Sequence, residues 1–355
     1  MSRKIAAGAC GKKCPYLTRR AEMGIIGGRT MMEAELQALI NRYDTIAVIS
    51  HFRPDGDAIG STLALGLSLQ GMGKKVYMWN EDGVPARYAF LQGAEQIVPT
   101  PPELPADVQM VICVDTGDMK RLGDRSLLLL ADFPCLVNID HHGSNTCYGQ
   151  LNIVEAEAAA CACVLHRLLK SWGCPLTREV AAALYVALST DTGSFQYGST
   201  TAEVMRMGAE LLEAGVDVAG VNRRLYQELS HAALRVQGDV LRHMQVVESG
   251  AVAYYAMPAG RKAELGVGLE ETKDLVDVVR VLQGVKVALI FEDLEDGRIR
   301  ISLRSKDERI NVAAIAAQFG GGGHAMASGI RMRGPLEECC TKVLAAISRE
   351  IVQLG

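Results

Sequence analysis

Residues 45–61 read TIAVISHFRPDGDAIGS. The first six, Thr45–Ser50, form a short apolar run of strand type. A polar turn, His51–Asp57, follows, and an apolar helical pattern then runs from Ala58 to about Gln70. A buried strand leading through a tight turn into a helix is the opening unit of a parallel α/β sheet. In such sheets ligands bind at the carboxyl ends of the strands, where this turn lies. His51, Asp55 and Asp57 fall within seven residues, and Pro54 and Gly56 force a tight path between them. Imidazole and carboxylate together suit a hard or borderline divalent cation. The plain alternative is an Asp-Gly turn with Asp57 as a helix N-cap.

Two further apolar strands end in acidic residues. Val108–Asp115 runs into Asp115-Thr116-Gly117-Asp118, and Cys135–Asp140 runs into Asp140-His141-His142. Asp115 alone reads equally well as a turn-capping aspartate. Two imidazoles beside a carboxylate are a costly surface choice, but they make a sensible pairing of ligand and orienting group. A fourth acidic position, Asp191, closes an Ala-rich helix just before Gly193. Its plain alternative is an ordinary helix C-terminal turn. Taken jointly, three strand ends deliver Asp or His to one rim. Carboxylates so close repel unless cations lie between them. Two divalent ions, with one aspartate bridging, would resolve the repulsion.

Helices are expected at Glu33–Asn41, Ala156–Trp172, Thr177–Thr190, Thr201–Ala214 and Val218–Leu229, and a further strand at Lys75–Trp79. A helix over Ala232–Val247 is expected to join a second domain. That domain should hold strands near Ala251–Met257, Val285–Phe291, Arg298–Arg304 and Gly329–Arg333, and helices near Thr272–Leu282, Val312–Gln318 and Leu336–Val352. The expected fold is α/β: a parallel sheet flanked by helices over residues 32–229, a linker helix over 230–247, and a smaller α/β domain over 248–355. Residues 1–31 lack periodicity and read as a disordered extension. Cys10 and Cys14 within it could ligate zinc, but no second ligand pair follows.

The chain has 355 residues, of which 49% are hydrophobic and 22% charged, and aliphatic residues far outnumber the 5% aromatics. This balance suits layered α/β structure. A net charge of −4 gives no global basic field for long duplex nucleic acid. The ten cysteines show no disulfide spacing, which suits a reducing cytoplasm. No apolar run approaches the ~18–20 residues of a membrane span, and no signal peptide is evident.

These motifs resemble the DHH phosphoesterase family. Asp140-His141-His142 matches its eponymous motif, His51–Ser61 its first, and Asp115 and Asp191 its second and fourth. The C-terminal part is similar to the DHHA1 domain, whose signature matches Gly320-Gly321-Gly322-Gly323-His324 and Ala327-Ser328-Gly329. Among family members the architecture is most similar to the nano-RNase type. The resemblance implies a phosphoesterase acting on short RNA oligonucleotides and on adenosine 3′,5′-bisphosphate (pAp). It implies two cations, Mn²⁺ with Mg²⁺ or Co²⁺ as substitutes. His51, Asp55 and Asp115 would hold one; Asp57, Asp115, His141 and Asp191 would hold the other. Asp140 would orient an imidazole, and His142 would contact the scissile phosphate or protonate the leaving group. Arg304 and the loop Gly321, Gly322, Gly323 and His324 would bind the nucleotide. The loop's plain alternative is a flexible hairpin, and that of Arg304 is a salt bridge to Glu292 or Asp307. A homodimer is left open. Other superfamily activities are the competing readings: dinucleotide phosphodiesterase, single-strand exonuclease or polyphosphatase.

Overall fold

The computed structural model describes residues 25–268, 271–272 and 274–354. The expectations for the N-terminal extension and for zinc at Cys10 and Cys14 lie outside the described residues, apart from the stretch from residue 25. There a helix, α1 (Ile25–Arg42), begins well before the expected Glu33. The chain divides into two units, Met1–Gln227 and Glu228–Gly355. Among the described residues no helix is long and apolar enough to cross a membrane.

The first unit carries a six-stranded parallel sheet. Its strands are β1 (Thr45–Ser50), β2 (Lys75–Asn80), β3 (Ile97–Pro99), β4 (Met110–Val114), β5 (Leu136–Asp140) and β6 (Leu151–Val154), in the order β3-β2-β1-β4-β5-β6. Every residue of β1, β4 and β5 is buried, as strands covered on both faces must be. The order reverses between β1 and β4, so the crevice for a ligand opens at their carboxyl ends. The sequence expectation omitted β3 and β6. Strands of three and four residues are too short to show an alternation.

Six helices of this unit follow α1: α2 (Gly56–Gly71), α3 (Asp124–Leu130), α4 (Cys161–Ser171), α5 (Arg178–Asp191), α6 (Ala202–Glu213) and α7 (Val218–Asn222). Asp55, not Asp57, caps α2, accepting from Ala58 N at 3.0 Å. The helix expected from Ala156 starts only at Cys161, after an extended Ala160. Glycines bring α2 hard against α5. A Cβ on Gly60 would overlap Ala183 O and come within 2.9 Å of the Ala187 side chain. This contact fixes where Asp191, the last residue of α5, falls. Gly60→Ala should therefore destabilise the unit by about 1–3 kcal/mol through overpacking, read as a lower Tm in thermal unfolding. An unchanged Tm would mean that the helices part without cost.

The second unit opens with α8 (His231–His243). It is shorter than the expected linker helix and ends where Met244 turns extended. Its Val236 and Val240 pack into the unit's own core beside Tyr255, Leu275 and Val279. The remaining elements are β7 (Gln245–Val247), β8 (Val252–Met257), α9 (Arg261–Leu265), α10 (Leu275–Arg280), β9 (Val287–Asp293), β10 (Arg298–Ser305), α11 (Val312–Ala317), β11 (Gly322–His324), β12 (Ala327–Arg333) and α12 (Leu336–Leu354). The sheet order is β11-β12-β10-β9-β8-β7, with only β8 and β9 parallel. One face carries Ile299, Ile301 and Leu303 against Ile315, Val343 and Ile347. On the other, Leu275, Val276 and Val279 of α10 cover Ala288 and Ile290 of β9. The glycine run is not simply a loop, because Gly322–His324 pairs with Ala327–Gly329 as a short edge strand. Glycine's low strand propensity is overridden by the neighbouring edge of β12.

Candidate metal centre

Each acidic or imidazole residue read from the motifs sits where a main-chain element ends. His51 follows β1. Its Nδ1 lies 2.9 Å from Phe52 O, and its Nε2 lies 3.4 Å from Asp115 Oδ2 and 3.7 Å from Asp55 Oδ2. An Nδ1–H donated to a carbonyl leaves Nε2 as the free lone pair, the tautomer a metal ligand needs. His141 repeats the device after β5. Its Nδ1 is 3.2 Å from Ala158 O, and its Nε2 faces Asp191 Oδ2 (3.2 Å), Asp115 Oδ1 (3.5 Å) and Asp57 Oδ2 (3.7 Å).

Asp115 stands between the two imidazoles, one oxygen toward each. It follows β4 in a left-handed conformation (φ 50°) and is almost fully buried. An aspartate tolerates that region better than most residues, but the backbone is strained there. The conformation turns the carboxylate back over the sheet rim. Asp115 Oδ1 is buried and has no hydrogen-bond partner, an expensive state for a carboxylate oxygen with no cation. Among the described residues of this unit, three groups of potential ligands have donor atoms within 4.8 Å of one another: His51, Asp55 and Asp115; Asp57, Asp115 and His141; Asp115, Asp140 and His142. Asp115 is common to all three. Hard oxygen donors, Nε2 atoms turned toward Asp115 and this unpartnered oxygen fit divalent cations held on either side of Asp115.

The protonation pattern points the same way. Burial disfavours charge on every member of the cluster. For Asp115 the neighbouring His141 and His51 overcome burial and hold its carboxyl well below the usual range. For His51 burial is likewise outweighed, by Asp115 and Asp55, and its pKa rises to about 10. His141 is raised for the same reason by Asp115 and Asp191. Burial, with the charges of Asp115 and Asp191, pushes Asp57 well up. Burial chiefly lifts Asp191 to about 6. With no cation, protons must neutralise the cluster; bound metal would displace them.

Four supports were not legible in the motifs. Asp57 accepts backbone N–H bonds from Cys161 (2.5 Å) and Ala162 (3.1 Å) at the start of α4, and a hydroxyl from Ser61 (2.8 Å). A helix N-terminus stabilises the ionised carboxylate and opposes the upward push of burial. Ser61 lies one turn after Asp57, so helical spacing could have found it; nothing local marks the α4 contact. Behind the third motif, Asp140 Oδ1 meets His142 Nδ1 at 2.8 Å while Asp140 Oδ2 accepts from Asn145 Nδ2 at 2.5 Å. Asn145 also donates to Asn138 Oδ1 at 2.7 Å. Burial works against charge on His142, but Asp140 and Asp115 raise its pKa.

The nucleotide-binding candidates lie in the second unit. Arg304 pairs with neither Glu292 nor Asp307. Its Nε is 3.7 Å from Asp277 Oδ1, and its Nη1 donates to Leu303 O. Glu292 is instead buried with Arg300, Lys262 and Thr272, and Asp307 is held by Arg309. Alternation along β10 turns Arg304 to the face opposite Asp307's loop, which breaks the expected pairing.

Residues 45–188 match the DHH family, N-terminal domain, and residues 250–353 match the DHHA1 domain. The chain is 33% identical to the bifunctional oligoribonuclease and PAP phosphatase NrnA of Thermus thermophilus, over 87% of this chain and 91% of that one. The chain belongs to the DHH family. As a DHH-family phosphoesterase it is a hydrolase acting on phosphoester bonds. The NrnA of Bacillus subtilis is 27% identical over 84% of this chain and 92% of its own. Among solved structures, an exopolyphosphatase-related protein from Bacteroides fragilis superposes with a TM-score of 0.85 at 26% identity, covering 92% of this chain and 98% of that one. The DHH match runs from β1 into α5 and so includes every strand end that carries the cluster, ending three residues before Asp191.

Proposed function

We propose that this enzyme hydrolyses short RNA oligonucleotides to mononucleotides and pAp to AMP, with two divalent cations, Mn²⁺ as the native ion and Mg²⁺ or Co²⁺ as substitutes. The observation that carries the reading is Asp115, with one oxygen turned to His51 and the other to His141. The names of the Thermus and Bacillus relatives support the substrates. In this reading His51, Asp55 and Asp115 hold one ion. Asp57, Asp115, His141 and Asp191 hold the other. When bound, such ions supply charge neutralisation at the phosphoryl oxygens and a water acidic enough to ionise near neutral pH.

The protein's own groups do the rest. The start of α4 and Ser61 fix the direction of the Asp57 carboxyl and oppose the push of burial against its charge. Asp140 accepts the Nδ1–H of protonated His142, and the Nε2–H of that imidazolium serves to meet a phosphoryl oxygen or to protonate the departing alkoxide. Water attacks phosphorus, the P–O ester bond breaks, and the leaving oxygen takes a proton. Arg304 and the segment Gly321, Gly322, Gly323 and His324 bind the nucleotide part. Buried free thiols such as Cys113 and Cys161 support a reducing compartment, the cytoplasm.

One assay panel with Mn²⁺ tests this reading. It offers labelled di- to pentaribonucleotides, pAp, linear and cyclic dinucleotides, and polyphosphate. Mononucleotides should appear fastest from the shortest RNAs, with AMP released from pAp. Turnover confined to polyphosphate would reject the assignment.

A further inference from the structure

Asn138 breaks the pattern of the strand that holds it. β5 runs Leu136-Val137-Asn138-Ile139-Asp140, and all five residues are buried. Strands covered on both faces are filled by aliphatic residues, yet Asn138 has no exposed surface at all. A buried primary amide is tolerated where its hydrogen bonds are met. The Nδ2 group of Asn138 donates to Thr116 O and to the Tyr148 hydroxyl, both at 3.1 Å, and its Oδ1 accepts from Asn145 Nδ2 at 2.7 Å. A carbonyl can only accept, so Thr116 O fixes which edge of the amide carries nitrogen. Asn145 is fixed likewise. Its Oδ1 accepts from Cys147 N at 2.7 Å, and its Nδ2 donates to Asn138 Oδ1 and to Asp140 Oδ2.

The two ends of this chain of bonds reach different parts of the metal centre. Thr116 directly follows Asp115, whose backbone is left-handed (φ 50°). Asp115 N donates to Ile139 O at 3.0 Å, so consecutive residues of β5 grip the turn on both sides of the shared carboxylate. At the other end Asn145 reaches Asp140 Oδ2, and Asp140 Oδ1 meets His142 Nδ1 at 2.8 Å. That imidazole nitrogen lies 3.7 Å from Asp115 Oδ1. Alternation along β5 turns Asn138 and Asp140 to the same face, which is why the one amide of Asn145 can bond both. Asn138 thus stands behind the carboxylate between the proposed cations and behind the imidazole that meets the phosphoryl group.

We propose that Asn138 is a positioning residue for the hydrolysis. Its amide sets the spacing between the Asp115 carboxylate and the His142 imidazole, bracing the turn that carries the first and, through Asn145 and Asp140, the ring of the second. Asn138 acts through these neighbours and not on the substrate. This role rests on the reading of the site given above and adds to it a residue that couples the two halves of the chemistry. The competing explanation is that Asn138 only satisfies loop groups and so stabilises the fold. A purely structural amide would lower Tm when removed and leave kcat of the folded enzyme unchanged.

The test uses Asn138→Leu, Asn145→Ala and their combination in the full chain. Leucine keeps the volume of Asn138 and removes both halves of its amide. With Mn²⁺ and pAp, kcat of Asn138→Leu should fall roughly ten- to hundredfold with little change in KM. Its Mn²⁺ affinity, read by calorimetric titration without substrate, should weaken roughly tenfold or more, because the Asp115 turn loses its brace. Asn145→Ala cuts only the arm to Asp140, so it should lose kcat roughly tenfold and bind Mn²⁺ as the wild type does. The double variant should lose less kcat than the product of the single losses, because both changes cut one chain of bonds. Asn138→Leu with a lowered Tm but wild-type kcat and Mn²⁺ affinity would overturn the role, and so would single losses that simply multiply. Asn145 lies in a loop outside the strand, so its variant keeps the test decisive should Asn138→Leu not fold: a wild-type kcat in Asn145→Ala overturns the role by itself. If the wild type turns over neither pAp nor short RNA, the substrate reading fails; the Mn²⁺ titrations still decide the role of Asn138.

Discussion

Asp115→Asn should abolish turnover, lowering kcat on the order of a thousandfold or more. The side chain keeps its volume, so loss of packing does not explain the effect. What changes is charge and donor pattern at the group shared by the three ligand sets found among the described residues of the first unit. One amide edge becomes a donor and cannot face an imidazole Nε2 and a cation together. Both proposed ion sites then lose a ligand at once. Wild-type enzyme should gain stability from Mn²⁺, about 2.7 kcal/mol for one site at a hundredfold excess over Kd. In the variant most of that thermal shift should vanish. Calorimetric titration and residual activity measure the two halves independently. An Asp115→Asn enzyme that still bound two Mn²⁺ and turned over near the wild-type rate would remove Asp115 from the centre.

Removing the imidazole of His142 is expected to cost roughly 10²–10⁴ in kcat while leaving metal affinity nearly intact. The residue is half-buried, and Asp140 accepts its Nδ1–H, which favours the protonated imidazole and so a proton on Nε2 as well. Asp140→Asn should give a smaller loss of the same kind, since it removes the carboxylate that favours the protonated imidazole and so lowers the share of His142 able to donate a proton. The pH profile carries a sign. Asp140 and Asp115 raise the His142 pKa against the opposing effect of burial, so the imidazole keeps its proton to higher pH than a free histidine. Wild-type kcat should fall as pH rises through that raised value. The profile of His142→Ala should lack this basic limb. If His142→Ala instead loses Mn²⁺ affinity and keeps kcat at saturating metal, the residue is a ligand and not a proton donor.

Much of this was legible in the chain itself. Apolar runs ending in Asp115, in Asp140-His141-His142 and in the His51–Asp57 turn specify strand ends, because side-chain hydropathy is local and a strand cannot bury an unpaired carboxylate midway. Those same runs fix the α/β class and the rim on which chemistry gathers. Tertiary structure decided the rest. The glycine-mediated crossing of α2 and α5 brings Asp191 to His141, and no local pattern reports which helix packs on which. The first N–H groups of α4 reach Asp57 across more than a hundred residues. Asn145 locks Asp140 only because the loop folds back over β5. The short strands β3 and β6, and the glycine strand β11, exist because a neighbouring edge offers hydrogen bonds that their own propensity would not secure. Residue chemistry sets which groups could gather around cations; only packing between distant segments sets the ångström-scale positions at which they do.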